Sequence, residues 1–178
     1  MCCDKIKSRG DRLDLKILEA KIAERNWIIV GNSEGIAYVG LRTNFEKYFE
    51  RLFPQVNLEE DNESLLMPYY FQLVEYFEGE REIFDFEPLE CGTVFQQAVW
   101  QALREVPFGS LVTYSDIAKS IGRPKAVRAV GGAIGRNPLL VFTPCHRVVG
   151  KDGALTGFSS GIDLKKLLLQ IEKRNEYA

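Results

Sequence analysis

The 178-residue chain is long enough to bury one sizeable hydrophobic core or two small ones. Its 46% apolar and 27% charged residues are typical of a globular protein, and no apolar run approaches a membrane span. The N-terminal residues are charged and lack the apolar core of a secretory signal, which predicts a cytoplasmic protein, or a nuclear one if the source is eukaryotic. Four cysteines without CxxC spacing and a single histidine predict no metal, and we expect no cofactor.

The net charge of −2 conceals an uneven distribution along the chain. Residues 1–90 carry 11 Lys and Arg against 19 Asp and Glu, whereas residues 91–151 carry 8 against 2. A basic segment of net charge +6 favours a polyanionic partner such as a nucleic acid, although the same clustering could be a solvated face.

The first half, residues 1–90, predicts a small α+β supporting domain with a short antiparallel sheet. Two β-rich runs, residues 27–30 and 36–39, flank a Gly-Asn-Ser-Glu-Gly segment that is typical of a hairpin. Ser64 is placed to cap a helix that ends at Gly79. Residues 83–86 predict a further strand, and residues 87–92 predict a linker.

The second half, residues 91–178, predicts a mostly helical domain. Thr93 and Gln96 have capping-box spacing before an apolar helix, and Thr113 and Asp116 repeat the signal before a shorter one. A last amphipathic helix is predicted over residues 163–174.

A helix-turn-helix of winged-helix type is predicted within this half. Gly122 ends the short helix, and Pro124 is placed to start another over residues 125–135. This helix is rich in small residues, and a glycine in a helix costs about 1 kcal/mol relative to alanine. The Gly131-Gly132 pair therefore indicates close approach, either to a nucleic-acid groove or to another helix of the protein.

The only histidine, His146, directly follows Cys145. Cysteine is a nucleophile as the thiolate, and a nearby imidazole is the usual means of generating one near neutral pH. Any Cys-His chemistry in this chain must use His146. Taken alone, the pair is more often a buried cysteine beside a core histidine.

The residues around this pair extend the pattern over about half the chain, residues 92–173. The most specific segments are Phe95-Gln96, Val99-Trp100, Thr113-Tyr114, Arg128-Ala129-Val130-Gly131, Asn137-Pro138, Pro144-Cys145-His146-Arg147-Val148 and Gly157-Phe158. In order and spacing they resemble the O6-alkylguanine-DNA alkyltransferases, also called methylated-DNA–protein-cysteine methyltransferases. The first half matches this family only loosely.

The resemblance implies direct-reversal DNA repair by a methyltransferase that acts once. Such proteins bind double-stranded DNA through a helix-turn-helix in the minor groove and flip O6-alkylguanine, or O4-alkylthymine, into a pocket. The alkyl group moves irreversibly to a cysteine, which makes the protein a suicide enzyme. By resemblance we expect a monomer, with no membrane partner.

The resemblance also implies the catalytic roles. Cys145 would be the alkyl acceptor, and His146 would pass its proton through a water toward Glu172. Tyr114 would donate a proton near N3 of the base. Asn137 would brace the turn that presents Cys145.

Two groups of residues are implied in binding DNA and the flipped base. Arg128 would fill the stack behind the flipped nucleotide, and Lys125 and Arg136 would contact phosphates. Small residues would let the helix enter the minor groove; they are Ala126, Ala129 and Gly131. The pocket would be formed by Phe158, where many relatives have tyrosine, and by main-chain groups of Ser159, Cys145 and Val148.

Two alternatives remain open at this point. The protein could bind alkylated guanine without reacting, although intact Cys145, His146 and Glu172 argue against this. It could instead be a helix-turn-helix regulator in which Cys145 senses alkylation or redox state.

Overall fold

A computed structural model describes residues 13–53, 56–62, 64–89, 92–155 and 157–174. The strands are β1 (Leu13–Ile22), β2 (Arg25–Asn32), β3 (Gly35–Leu41), β4 (Val56–Glu60), β5 (Val112–Thr113) and β6 (Val148–Val149). The helices are α1 (Arg42–Leu52), α2 (Met67–Glu78), α3 (Val94–Arg104), α4 (Tyr114–Ser120), α5 (Val127–Ile134) and α6 (Ile162–Arg174). A sheet with two helices is followed by a mostly helical half, which confirms the α+β class. Cys2, Cys3 and Cys91 lie outside the described residues.

The N-terminal sheet has the strand order β3-β2-β1-β4. Strands β1, β2 and β3 pair antiparallel, and the predicted hairpin of β2 and β3 is confirmed. Strand β4 joins the far edge in parallel with β1. The sequence analysis did not identify β1, β4 or α1. Helix α1 follows β3 directly, with Leu41 at the N-cap and no side-chain cap, so no local signal marks its start.

Two predictions in the first half were wrong. Residues 83–86 form no strand; instead Phe84 and Phe86 turn their rings toward Phe142, with centroids 4.3 and 5.2 Å away. Ser64 does not cap α2, since the carboxylate of Asp61 accepts the N–H groups of Leu65 and Leu66. The predicted end of this helix at Gly79, in the left-handed conformation, is confirmed.

The two faces of the sheet belong to two hydrophobic clusters. On one face, Ile28, Val30 and Tyr38 pack with Phe45 and Phe49 of α1. The other face joins α2 and the C-terminal helices in one continuous core, whose members include Trp27, Ile29, Tyr76, Trp100 and Leu103. The two halves of the chain therefore share a core, and a residue of the first half can reach a site in the second.

The helices of the second half follow their local signals closely. Both predicted capping boxes are present, Thr93 with Gln96 at α3 and Thr113 with Asp116 at α4. Helix α5 starts at Val127, later than predicted, because residues 123–126 form a turn in which the Arg123 carbonyl accepts the Ala126 N–H. No helix of the described residues is long and apolar enough to cross a membrane.

The edge of the sheet holds the segment that leads to Cys145. The Val39 N–H donates to the Pro138 carbonyl at 2.9 Å, and the Leu140 N–H donates to the Val39 carbonyl at 2.8 Å. Pairing of this kind protects an exposed strand edge. It also anchors the chain a few residues before Cys145.

Candidate active site

Cys145 begins a single 3₁₀ turn, Cys145–Arg147, at the end of a tight loop. The loop contains Val141 at φ 74°, an uncommon conformation for a β-branched residue. The Asn137 side chain ties the loop together, because its oxygen accepts the Leu139 N–H at 3.0 Å and its Nδ2 donates to the Thr143 carbonyl at 2.8 Å. The amide side chain thereby links Leu139 to Thr143, and backbone hydrogen bonds from the Thr143 N–H to the Leu139 carbonyl and from the Cys145 N–H to the Thr143 carbonyl add to it.

The thiol of Cys145 is buried, with 4% of the residue exposed. Its Sγ accepts a hydrogen bond from Asn137 Nδ2 at 3.2 Å. Burial raises the pKa of Cys145, and the Asn137 hydrogen bond and the nearby Lys165 ammonium oppose this only in part. At neutral pH the residue is therefore a thiol, and it needs a base to react.

His146 is fully buried and contacts Glu172, with 2.6 Å between Nε2 and Oε1. Burial lowers the pKa of His146 more than the Glu172 carboxylate raises it, so the imidazole is neutral at pH 7. The carboxylate beside Nε2 assigns the proton to that nitrogen. The other nitrogen, Nδ1, is buried and has no hydrogen-bond partner among the described residues. This ring therefore has a free basic lone pair.

Glu172 is the centre of a buried polar cluster. Arg147 donates from Nε to both carboxylate oxygens at 3.0 and 3.1 Å, and from Nη2 to Oε1 at 2.9 Å. The Gly109 N–H donates to Oε2 at 3.1 Å, and the Tyr76 hydroxyl donates to Oε1 at 2.9 Å. All the partners of this carboxylate are donors, as an anion requires.

The charge of Glu172 follows from these partners. Burial alone would raise the pKa of Glu172, but His146 and Arg147 outweigh burial and lower it to about 2. The Arg147 guanidinium, through its three hydrogen bonds, can hold Glu172 ionised while His146 is neutral. The cluster thus presents a fixed carboxylate to the imidazole.

Three residues of this site were missed by the sequence analysis: Tyr76, Arg147 and Lys165. Lys165 is 1% exposed, its Nζ donates to the Val148 carbonyl at 2.6 Å, and it lies 5.9 Å from the centroid of the Phe158 ring. Burial lowers the pKa of Lys165, and Cys145 opposes that shift. The sequence held one signal for Lys165. It precedes Glu172 by seven residues, which is about two helical turns, so both lie on the buried face of α6.

Tyr114 opens α4 and lies between α5 and the loop before α6. A Cβ added at Gly131 would lie 3.7 Å from the Tyr114 ring, and one added at Gly157 would lie 2.9 Å from its hydroxyl. Gly157 also has φ 67°, which favours glycine. Gly131 therefore faces Tyr114 within the protein, at a distance where an added Cβ would make an ordinary van der Waals contact, so this contact does not by itself require glycine.

The main-chain groups expected to bind the flipped base lie near this site, and some of them already make hydrogen bonds within the protein. The Cys145 carbonyl accepts the Val148 N–H, and the Val148 carbonyl accepts Lys165 Nζ. A carbonyl has two lone pairs, so each can accept a further bond. The Ser159 carbonyl is 3.5 Å from Asn44 Nδ2, which links this loop to α1.

Helix α5 divides its residues between the core and the surface. Val130, Ala133 and Ile134 are buried, whereas Ala129 is exposed and Ala126 is half-buried. The three cations expected to contact DNA are all exposed; they are Lys125, Arg128 and Arg136. In the described part of the chain, no cluster of His, Cys, Asp and Glu could hold a metal ion.

The chain matches two family models and many similar proteins. Residues 26–91 match the 6-O-methylguanine DNA methyltransferase ribonuclease-like domain, and residues 94–174 match the DNA-binding domain of the same family. An inducible methylated-DNA–protein-cysteine methyltransferase of Bacillus subtilis is 46% identical over 153 residues, covering 84% of this chain and 85% of that protein. The methylated-DNA–protein-cysteine methyltransferase of Haemophilus influenzae is 45% identical over 148 residues, covering 82% and 79%.

Solved structures agree with these relatives. The Mycobacterium tuberculosis O6-methylguanine methyltransferase matches with a TM-score of 0.77 at 34% identity, over 90% of this chain and 93% of that one. The same organism's OGT in complex with DNA matches with a TM-score of 0.76 at 34% identity, over 91% and 94%. The chain belongs to the methylated-DNA–protein-cysteine methyltransferase family.

Proposed function

We propose that this protein repairs O6-alkylguanine in double-stranded DNA by transferring the alkyl group to Cys145. The observation that carries the proposal is the buried Cys145 thiol, which directly precedes the imidazole held by Glu172 at 2.6 Å. Family membership supports the reaction, and the local geometry supports the roles proposed for individual residues. O4-alkylthymine, which presents the same alkoxy carbon, is the second substrate.

The first step is deprotonation of the thiol. A water molecule carries the proton from Cys145 Sγ to Nδ1 of His146, the buried nitrogen that has no partner among the described residues. The resulting imidazolium is stabilised by the ionised carboxylate of Glu172. Arg147 ensures that this carboxylate is not itself protonated, because it donates three hydrogen bonds to the two oxygens.

The second step is displacement at the alkyl carbon. The thiolate forms a new S–C bond as the C–O6 bond breaks, and the electron pair of that bond stays on the guanine. The Tyr114 hydroxyl donates a proton near N3 and so stabilises the departing base. His146 then releases the Cys145 proton to solvent and Tyr114 regains a proton from solvent, so the products are a thioether on Cys145 and an unmodified guanine. Because the thioether is not reversed, each molecule reacts once.

Access to the lesion requires the nucleotide to leave the stack. The protein is proposed to bind DNA as a monomer, with helix α5 in the minor groove. Ala126 and Ala129 have small side chains that allow the helix to enter this groove. Arg128 then occupies the space of the flipped nucleotide. Lys125 and Arg136 contact phosphates, which positions the helix without reading sequence.

Intact mass after incubation with a duplex containing O6-methylguanine tests the proposal. We expect one added methyl group per molecule, located on Cys145, in the wild type and in a Cys91→Ser control. Cys145→Ser should show none. Turnover beyond one equivalent would exclude the single-turnover mechanism, and binding of the lesion without an adduct would favour the non-catalytic alternative.

A further inference from the structure

A groove of the described surface lies between the two halves of the molecule. Its volume is about 1660 Å³, and its walls come from α5 and the turn before it, from the N-terminus of α3, and from α1. The proposed function assigns DNA binding to α5 alone. The opposite wall, formed by Lys47, Tyr48 and Leu52 of α1, has no role in it.

The chemistry of the groove is that of an anion site. Four cationic side chains line it: Lys47, Lys125, Arg128 and Arg136. No carboxylate side chain is among its described lining residues. Charge complementarity therefore favours a polyanion that touches both walls.

Lys47 is available to such a ligand. Its side chain is exposed, and its ammonium lies 5.4 Å from the centroid of the neighbouring Tyr48 ring. None of the ion pairs among the described residues involves Lys47. A phosphate could replace water at this ammonium without breaking a salt bridge.

The third wall adds a weaker attraction of the same sign. Helix α3 starts at this groove, with Thr93 as its N-cap. The N-terminus of a helix carries a partial positive charge and exposes N–H groups, both of which favour phosphate oxygens. Cations from two walls and a helix N-terminus from the third thus face the same space.

We infer that α1 is a second DNA-binding wall and that Lys47 contacts a phosphodiester of the strand that flanks the lesion. The inference rests on the proposed function, because the occupant is the same DNA duplex that α5 binds. It gives the N-terminal half a direct part in DNA binding. Since such a contact is to phosphate, it adds affinity without sequence preference.

The test is the salt dependence of binding to a short undamaged duplex. Each phosphate contact contributes about 0.9 to the slope of log Kobs against log salt concentration. Lys47→Gln should therefore have a slope shallower by about 0.9, which is about a threefold smaller loss of affinity between 50 and 200 mM KCl. Lys166→Gln is the matched control, because Lys166 is an exposed lysine of α6 that does not line the groove.

Reaction of each variant with the free base O6-methylguanine separates the inference from the proposed function. Lys47→Gln should react with the free base at the wild-type rate. An unchanged salt slope with normal methyl transfer overturns the inference and leaves the proposed function intact. If the wild type transfers no methyl group, the proposed function itself is wrong. A change in self-association without a change of slope assigns the groove to a second copy of the protein, and so overturns the inference.

Discussion

The charged side chains of this protein fall into two regions that differ in burial and in hydrogen bonding. Around Glu172, the side chains of Tyr76, His146 and Arg147 are buried, and the hydrogen bonds that reach the carboxylate are 2.6 to 3.1 Å long. Along the groove, Lys47, Lys125 and Arg128 are exposed and make no ion pair with the described residues. The first arrangement fixes a protonation state, and the second leaves cations ready for an external anion. Mutations in the two regions should therefore have separable effects.

The largest effect is expected from Glu172→Gln in the buried region. Removing one partner of a buried ion pair costs about 3–5 kcal/mol, because Arg147 is left as an uncompensated buried charge. Loss of the carboxylate also weakens the base, and general-base catalysis contributes about 10²- to 10⁴-fold to a rate. Urea unfolding and the rate of the free-base reaction measure the two effects. Lys166→Gln on the same helix should change the free energy of unfolding by less than about 0.5 kcal/mol. A stable, fully reactive Glu172→Gln protein would contradict the relay.

Acid should destabilise the protein through the same buried cluster. The pKa of Glu172 is lowered from 4.5 to about 2 on folding, so its contribution is present above pH 4.5 and is lost as the pH falls toward 2. The shift corresponds to roughly 3 kcal/mol. The pKa of His146 is also lowered, so its contribution begins to be lost as the pH falls below about 6.5. Urea unfolding from pH 7 to pH 3 checks this, and a stability that is independent of pH over that range would refute it.

In the exposed region, Arg128→Ala should impair repair of duplex DNA by about 10- to 100-fold. The reason is that unstacking a nucleotide costs a few kcal/mol, which the inserted side chain offsets in part. The free-base reaction should be unchanged, since no base is flipped there. Arg123→Ala is the control, because Arg123 is exposed in the turn before α5 but does not line the groove. Equal losses with duplex and free base would remove the proposed role of Arg128.

The smallest effect is expected from Tyr76→Phe, which removes one hydroxyl from the buried cluster. Glu172 keeps its other donors, so the loss in the free energy of unfolding should be about 1–2 kcal/mol. Without this donor the carboxylate attracts a proton on His146 more strongly, which raises the pKa of the imidazole. The acidic limb of the rate profile for the free-base reaction should therefore move to higher pH. A change in stability without a shift of this limb would assign Tyr76 a packing role only.

Features that depend on neighbouring residues could be predicted from the sequence, and features that depend on distant segments could not. Capping boxes at Thr93 and Thr113 and the glycine stop at Gly79 were predicted correctly, because each depends on residues within one helical turn. Helix α1 was missed because its N-cap is a leucine, which gives no capping signal. The prediction of a strand over residues 83–86 was wrong because their aromatic side chains pack in the core without strand pairing. Local chemistry is visible in local sequence, whereas packing of distant segments is not.

The sequence by itself determined the identity of the reactive groups, namely one histidine beside a cysteine and a basic segment around them. Only the tertiary structure decided which partners those groups have. Tyr76 and Glu172 are separated by 96 positions, and Arg147 and Glu172 by 25, yet each pair is joined by hydrogen bonds within the buried cluster. The physical reason is that a hydrogen bond or a charge shifts a pKa much more strongly in the buried interior than at the surface. Which groups are buried depends on how the two halves pack around a shared core.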